Sequence, residues 1–486
     1  MKVEEIRADY TTLADTGAAT SDWHRAKLGD IAQVIRGVTY KKEQATSQPA
    51  TDMLPILRAT NVQDGGLVLD SDLVFVPKEL VSETQKLRVG DIVVATSSGS
   101  KHLVGKTAQV REAWEGSFGA FCAAIRPTGD IDQRYLGYFF ETREYKDYIS
   151  KKALGVNINN LRRGDLEEIS VPVAPHDQQK RIVAEIEKQF SRLDEAVANL
   201  KRVKANLKRY KAAVLNAAVE GRLVEAEAER ARREGRSYET GAQLLQRILE
   251  TRRSQWQGKG KYKEPASPDT TGLPELPAGW VWATVEQLNP VNRPCAYGVL
   301  QPGDDLSEGV LFVRVGDIND GRIDHTGLKV IAPAIAEAYP RTKLVGGEVL
   351  ITLVGAIGRT AVVPASLAGA NVARAVGVLP LADLIDPHWV EIWFRNPRKI
   401  VEMTAKSHEV ARKTLNLEDV RFATVAIPSL TEQQQIVAEV ERRLSIADEA
   451  EAQVNTDLER AGRLRQAILA KAYKGTRSPS SMEAVA

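Results

Sequence analysis

The sequence predicts an α+β fold in which a β-rich domain followed by a long helix occurs twice. Ile182-Val183-Ala184-Glu185 returns as Ile436-Val437-Ala438-Glu439, each after a glutamine pair and each at the start of a long amphipathic pattern. The same offset of 254 positions relates Gly221 to Gly475, so neither helix carries an insertion relative to the other. A direct repeat of this length indicates one duplicated unit rather than a solenoid of small repeats.

The segments before the helices have the pattern of short strands. Asp91-Ile92-Val93-Val94-Ala95 and Glu348-Val349-Leu350-Ile351-Thr352 are apolar runs bounded by turn-forming residues. Asn61-Val62-Gln63-Asp64-Gly65 and Asn319-Asp320-Gly321 have the chemistry of hairpin turns. Because a short helix is also expected after Asp132, and its counterpart 254 positions later, each segment is predicted to be an α+β domain.

Each long helix is predicted to have a coiled-coil seam. In the first helix apolar residues alternate in steps of four and three, at Ile186, Phe190, Leu193, Val197, Leu200, Val203, Leu207, Tyr210 and Val214. The second helix repeats the stripe, which Glu451 interrupts. Residues 178–221 hold ten Lys/Arg and five Asp/Glu, whereas residues 432–475 hold seven and eight. This asymmetry favours contact between the helices, although a solvated charged face is the commoner reason for such a run.

These patterns divide the chain into seven predicted segments. They are a leader (1–20), a first β-rich domain (21–175), a central helix (176–222), a linker with a docking helix (223–278), a second β-rich domain (279–430), a C-terminal helix (431–475) and a tail (476–486). Gly221 and Gly475 are predicted C-terminal helix caps.

Composition excludes several classes of protein. The longest apolar stretches are far shorter than the roughly 18 residues of a membrane helix, so a cytoplasmic location is expected. A net charge of +2 argues against binding to nucleic acid through bulk charge alone. Cys122 and Cys295 lie at unmatched positions, so we expect neither a disulfide nor a metal site.

The candidate catalytic motifs of the sequence do not match the patterns that their chemistry requires. The stretch from Gly99 to Thr107 resembles a phosphate-binding loop but has five residues between its glycines instead of four. The possible nuclease carboxylate Glu144 corresponds to Arg398 in the second copy. The Asn-Pro pairs lack the continuation that a base-flipping adenine methyltransferase requires, so we expect no catalytic residue in this chain.

The duplicated pattern resembles the specificity subunit of type I restriction-modification enzymes. The resemblance rests on a β-rich domain, the run Ile427-Pro428-Ser429-Leu430-Thr431-Glu432-Gln433-Gln434-Gln435-Ile436-Val437, and a long helix ending Ala467-Ile468-Leu469-Ala470-Lys471-Ala472-Tyr473-Lys474-Gly475, all of it present twice. The first copy differs mildly, with Asp177-Gln178-Gln179-Lys180-Arg181 in the glutamine-rich run.

The resemblance implies a non-catalytic reader of double-stranded DNA. Two target-recognition domains each bind one half of a split sequence, separated by two long antiparallel coiled-coil helices that form a pseudo-twofold repeat. Two modification subunits dock on the helices, and restriction subunits are a further expected partner. S-adenosylmethionine, ATP and Mg are expected on those partners and not on this chain.

The two copies offer a filter for DNA-binding residues. Positions shared between copies should mainly build the scaffold or contact phosphates, whereas divergent polar loop positions should contact bases. Asn suits adenine and Arg suits guanine in the major groove. In the first domain the filter selects Arg36, Thr39, Tyr40, Lys41, Lys42, Ser97, Ser98, Ser100, Lys101, His102, Asn157, Asn159, Asn160, Arg162 and Arg163. In the second domain it selects Tyr297, Gln301, Arg359, Lys406, Ser407, His408, Arg412 and Lys413.

Two other functions stay open from the sequence. The chain could be a non-enzymatic assembly scaffold whose β-rich domains bind protein rather than DNA, and a self-sufficient enzyme is nearly excluded by the absent motifs. Four extra residues around Ser98-Gly99-Ser100-Lys101, which the second domain lacks, are the predicted specificity insertion.

Overall fold

A computed structural model describes residues 22–63, 66–98, 103–152, 159–319, 321–405 and 414–474. Contacts divide the chain into two compact units. Unit 1 comprises Met1–Arg202 and Val454–Ala486, and unit 2 comprises Val203–Gln453. Each unit therefore contains one β-rich domain and a section of each long helix.

Unit 1 is built on a four-stranded antiparallel sheet, referred to below as its central sheet. The strands follow the order Ala32–Arg36, Cys122–Pro127, Ile92–Ala95 and Thr107–Gln109. Beside it lies a three-stranded sheet of Ser117–Phe118, Met53–Leu57 and Val74–Pro77. Pairing of His24–Lys27 with Ser170–Val173 joins the start of the domain to its end. Its shorter helices are Leu28–Ile31, Gln133–Phe139, Arg143–Lys152 and Arg163–Glu167.

Unit 2 repeats this architecture. Its central sheet has the order Ala296–Tyr297, Val376–Leu379, Val349–Thr352 and Thr360–Val362. The three-stranded sheet consists of Lys329–Ile331, Val310–Val313 and Asn371–Val372, and Val281–Thr284 pairs with Thr424–Ile427. Its shorter helices are Glu227–Glu234, Gly241–Ser254, Val285–Leu288, Pro333–Glu337, Pro387–Arg395, Pro397–Ala405 and Leu417–Arg421. The predicted α+β fold with an internal repeat is confirmed.

Smaller elements complete both domains. In unit 1, Val62–Gln63 pairs with Gly66–Leu67 and Asn159–Asn160 pairs with Ser97–Ser98, and in unit 2 Ile318–Asn319 pairs with Arg322–Ile323. Single 3-10 turns lie at Lys42–Gln44, Ala59–Asn61, Lys78–Leu80, Val315–Asp317, Pro340–Thr342 and Ala365–Leu367. The predicted hairpins therefore form, although residues 64, 65 and 320 of their turns lie outside the described residues.

The predicted long helices span His176–Val219 and Leu430–Ala472. In unit 1, Ile186 shares a buried core with Ile468, and Leu193 packs with Ala461. This order is antiparallel within the unit, because a later residue of the first helix meets an earlier residue of the second. A coiled coil along the whole length of both helices stays a prediction.

In unit 2 the seam departs from the predicted apolar stripe at Tyr210, whereas Val214 of that stripe is buried. Tyr210 is 44% exposed, whereas Lys211 contacts Asp448 and Glu451 of the second helix, each at 2.6 Å. A straight α-helix drifts by about 20° per heptad relative to a 3.5-residue repeat, so the contact face moves from Tyr210 to Lys211. Glu451, which interrupts the second stripe, thereby gains an ionic partner.

A buried glutamine joins each domain to its helix. In unit 1 the Gln179 side chain accepts a hydrogen bond from Asp132 N at 2.7 Å and donates one to Ala174 O at 2.7 Å. In unit 2 Gln433 accepts from Asp386 N at 3.0 Å and donates to Pro428 O at 3.1 Å. The repeated glutamine is therefore a structural residue that fixes the start of each helix.

The aspartates at these junctions begin the predicted short helices. The Asp132 carboxylate accepts hydrogen bonds from Arg134 N and Tyr135 N, and Asp386 accepts one from His388 N. Carboxylates at this position satisfy backbone N–H groups that have no partner within the helix. Both predicted short helices are thus confirmed.

The connector after the first helix contains two helices, Glu227–Glu234 and Gly241–Ser254, where the sequence emphasised one docking helix. Leu244 and Ile248 of the longer one are buried in the unit 2 core. Gly221 has φ of 66°, as predicted for a helix cap, whereas Gly475 lies outside the described residues. Among the helices that the structure describes, none is long and apolar enough to cross a membrane.

Candidate nucleic-acid interface

Sequence-distant loops of unit 1 meet at one end of the central sheet. At this end, called the loop end, Arg36 pairs with Ala123, and Ala95 pairs with Cys122. One strand therefore finishes with Arg36, while the next hairpin leaves the sheet after Ala95. The sheet topology brings together segments that the sequence analysis selected separately.

Two of the selected loops pair directly with each other. Ser97–Ser98 forms an antiparallel ladder with Asn159–Asn160, in the register Asn159 to Ser98 and Asn160 to Ser97. The ladder continues the sheet edge, since Leu161 N donates to Thr96 O at 2.8 Å. The pairing of the two backbones thus places Ser97 opposite Asn160 at the loop end.

Tyr40 links the loop end to the three-stranded sheet. Its ring is half-buried against the cluster that contains Val38 and Leu54. Burial raises the pKa of the Tyr40 phenol above its usual 10, although the nearby Arg58 guanidinium opposes the shift. The hydroxyl therefore stays protonated at neutral pH and can donate a hydrogen bond.

The selected cations of unit 1, and Thr39 with them, lie at or after the strand that ends at Arg36 or after the strand Asn159–Asn160. Arg36, Thr39, Lys41, Lys42, Arg162 and Arg163 are all exposed. The Arg163 guanidinium donates to Glu167 at 2.6 Å, so a carboxylate of its own helix already engages it. Exposed cations on the same loops as exposed polar residues fit a surface that combines phosphate contacts with base contacts.

The positions that the two copies share make contacts within the protein. Arg58 pairs with Asp72, and Arg314 pairs with Asp317 at 3.0 Å. Gly105 has φ of +84°, and a Cβ atom there would lie 2.2 Å from an Ile149 methyl group. These contacts stabilise the local structure of the hairpins, and the scaffold role of these residues stays a prediction.

Unit 2 has a loop end of the same construction with different side chains. Tyr297 pairs with Gly377 at the end of its strand, but the Tyr297 hydroxyl accepts a hydrogen bond from Leu417 N at 2.8 Å. Arg359 donates to Asn319 Oδ1 at 2.6 Å and Gln301 is exposed. Tyr297 and Arg359 are therefore partly engaged within the protein, whereas Gln301 lies on the open surface.

The hairpin at the loop end differs in length between the units. Thirteen positions separate Val94 from its partner Thr107, but nine separate Ile351 from Thr360. The predicted insertion of four residues in the first domain therefore lies in this hairpin. Nine of the selected residues lie outside the described residues: Ser100, Lys101, His102, Asn157, Lys406, Ser407, His408, Arg412 and Lys413.

Two exposed residues at the loop ends were missed by the sequence analysis. In unit 1 the turn before the second sheet strand carries Phe121, which is 67% exposed. The matching turn of unit 2 carries Arg374, which is exposed. The same offset of 254 positions aligns Ala120 with Arg374 and Phe121 with Ala375, so the repeat filter would have found them had it been applied to short turns.

Within the described ranges, no group of three or more His, Cys, Asp or Glu residues could hold a metal ion. Burial raises the pKa of the Cys122 thiol to about 12. This thiol therefore stays protonated at neutral pH, although it lies at the loop end.

Comparison with known proteins gives consistent relatives. A family model described as the type I restriction modification DNA specificity domain matches residues 20–209. The type I restriction enzyme EcoKI specificity subunit of Escherichia coli K12 is 30% identical over 474 residues, which cover 94% of this chain and 90% of that subunit. The StySPI specificity subunit of Salmonella potsdam is 30% identical over 478 residues, with the same coverage of 94% and 90%.

A solved structure shares the fold. It is reported under the description "Structural basis underlying complex assembly and conformational transition of the type I R-M system". The likeness has a TM-score of 0.64 at 16% identity and covers 94% of this chain and 98% of that one.

Proposed function

This chain belongs to the family of type I restriction enzyme specificity subunits, and we propose that it reads a split double-stranded DNA target, one half-site with each β-rich domain. It supplies DNA sequence specificity and no catalysis of its own. The observation that carries the proposal is the loop end, which both units build with the same backbone frame and different exposed side chains.

The shared frame explains how one fold can read two sequences. In unit 1 Cys122 N donates to Gly119 O, and in unit 2 Val376 N donates to Ala373 O, both at 2.8 Å. Backbone geometry is thus conserved between the units, while the exposed residue of the turn changes from Phe121 to Arg374. Because base recognition depends on side-chain chemistry in the grooves, such a change alters the sequence that is read without altering the fold.

The long helices have two roles in this proposal. They set the distance between the half-sites, and they offer a docking surface to two modification subunits, with restriction subunits as further partners. The contact of Lys211 with Asp448 and Glu451 supports the pairing of the helices within unit 2. Residues 178–221 and 432–475 repeat without insertion, which suits two copies of one partner.

Chemistry belongs to the partners in the proposed complex. S-adenosylmethionine would be bound by the modification subunits, and ATP and Mg by the restriction subunits. We also infer a cytoplasmic location, because the complex must reach the cell's DNA.

The proposal is tested by Arg374→Ala in the complex of the full chain with its modification subunits. Methylome sequencing of cells that carry the complex first supplies the target. We expect the variant to bind about ten- to a hundredfold less tightly, the value of one lost arginine–guanine contact. Discrimination between correct and scrambled sequence should fall at the unit 2 half-site only.

Arg232→Ala is the matched control, since Arg232 is an exposed arginine of the connector helix Glu227–Glu234. It should leave the affinities for both half-sites unchanged. A complex that assembles normally but binds target and scrambled duplexes equally would contradict the proposal and favour the assembly scaffold.

A further inference from the structure

Phe121 is an aromatic residue held rigidly at the surface of unit 1. Its side chain is 67% exposed. Its backbone oxygen nevertheless accepts hydrogen bonds from Thr96 N at 2.9 Å and Ser97 N at 3.1 Å. A third bond, from Cys122 N to Gly119 O at 2.8 Å, closes the turn. The ring is therefore presented to solvent by a fixed backbone.

The fold does not require an aromatic residue at this position. In unit 2 the corresponding turn has Ala375, whose oxygen accepts from Leu353 N at 2.8 Å. The same hydrogen-bonded frame thus forms around a methyl side chain. Because exposing a large apolar side chain to water is unfavourable and the frame forms without one, packing does not account for Phe121.

The neighbours of Phe121 identify what the ring can meet. Ser97, which donates to its carbonyl, pairs with Asn160, and Arg36 ends the adjacent strand. Hydrogen-bonding groups next to an apolar group match the major-groove edge of DNA, where the thymine 5-methyl group lies beside base donors and acceptors. Phosphates are charged and offer this ring no apolar partner, and sugars do not differ between base pairs, so only a base contact would make the ring sequence-specific.

We propose that Phe121 is a specificity-determining residue that contacts the 5-methyl group of a thymine in the half-site read by unit 1. This inference rests on the proposed function. It assigns to the first domain an apolar contact that the second domain lacks, since Ala375 is too short to reach equally far and Arg374 beside it is charged. The two half-sites then differ in chemistry as well as in sequence.

The experiment uses the full chain in complex with its modification subunits. In each test duplex one thymine of the unit 1 half-site is replaced by deoxyuridine, which lacks only the methyl group. For the wild-type protein we expect one such replacement to weaken binding about fourfold, the value of one buried methyl group. Phe121→Ala should weaken binding to the thymine duplex and remove the preference for thymine at that position.

Two controls keep the result interpretable. Phe121→Leu retains an apolar side chain and should keep part of the thymine preference. Val89→Ala removes another apolar side chain of unit 1, which is 50% exposed. This variant should change neither the affinity for the duplex nor the preference for thymine. The unfolding temperature of Phe121→Ala should equal that of the wild type, because Ala375 occupies the matching turn of unit 2.

Several outcomes would overturn the inference. They are a unit 1 half-site without thymine, a wild-type protein indifferent to every methyl group, or a Phe121→Ala variant that keeps the methyl preference. A fourth outcome is that Phe121 inserts as a wedge between base pairs. In that case Phe121→Ala would weaken binding equally to the thymine and the deoxyuridine duplexes, and it would abolish the fluorescence change of a 2-aminopurine that reports unstacking. If the wild-type complex binds no duplex specifically, the proposed function itself fails first.

Discussion

The tryptophan at the start of each domain donates a hydrogen bond to matched positions of the two copies, a glutamine in unit 1 and a glutamate in unit 2. Trp23 Nε1 donates to the Gln178 amide oxygen at 2.9 Å, and Trp280 Nε1 donates to the Glu432 carboxyl at 3.0 Å. Glu432 is 1% exposed. Burial raises the pKa of this carboxyl above its usual 4.5, despite the bond from Trp280.

We predict that this carboxyl makes the stability of unit 2 depend on pH. Because its pKa is raised in the folded state, Glu432 contributes stability while it is protonated, and that contribution is lost as the pH rises from about 4.5 through the folded value. Glu432→Gln copies the amide of unit 1. The unfolding temperature of the variant minus that of the wild type should therefore increase as the pH rises from about 4.5 to about 8. A difference that is constant across this range would contradict the prediction.

Single residues were predictable from the sequence where the repeat supplied a comparison. Arg58 and Arg314 were assigned to the scaffold because they match, and both hold a carboxylate in the structure. Phe121 and Arg374 were missed because their turns are short and contain no polar run. Tyr297 was selected for its chemistry, whereas the Leu417 N–H group that engages its hydroxyl is 120 positions away.

At the scale of elements, the glutamine at each domain–helix junction is the repeated structural device. Gln179 is 2% exposed and Gln433 is fully buried, and each bridges two backbone groups. A side chain that satisfies one donor and one acceptor at once prevents both from being buried without a partner. This explains why the motif recurs in both copies.

We therefore predict that Gln179→Ala destabilises unit 1 by about 1–3 kcal/mol, the cost of leaving buried backbone groups without partners. Hydrogen exchange should show faster opening around Asp132 and Ala174 and no change in unit 2. Gln433→Ala should destabilise unit 2 in the same way and leave hydrogen exchange in unit 1 unchanged. Gln434→Ala is the control, since Gln434 is exposed, and an equal effect of Gln434→Ala would count against the assigned role.

The helices show where sequence periodicity stops being informative. Both helices could be predicted because the apolar pattern is long, and the structure confirms them. The seam was wrong at Tyr210, because a strict 3.5-residue repeat was assumed along a helix whose own period is 3.6 residues. Lys211 could not be placed from the apolar pattern, since its contact depends on Asp448 and Glu451 of the other long helix.

At the scale of the whole molecule, agreement and divergence between the copies carry different information. The copies agree in sheet order, glutamine junctions and helix length. They diverge at the loop ends, in hairpin length and in the exposed residue of the turn. We therefore attribute the fold and the partner docking to what is shared, and the DNA target to what differs.

The central claim is that two domains read separate half-sites at a spacing set by the helices. Its most direct test inserts seven residues of helical sequence into both helices, after Arg202 and after Gln453, and determines the new methylation target by methylome sequencing. Seven residues add about 10 Å, or about three base pairs. The account predicts unchanged half-sites separated by a longer spacer, and an altered half-site or an unchanged spacer in an active complex would contradict it.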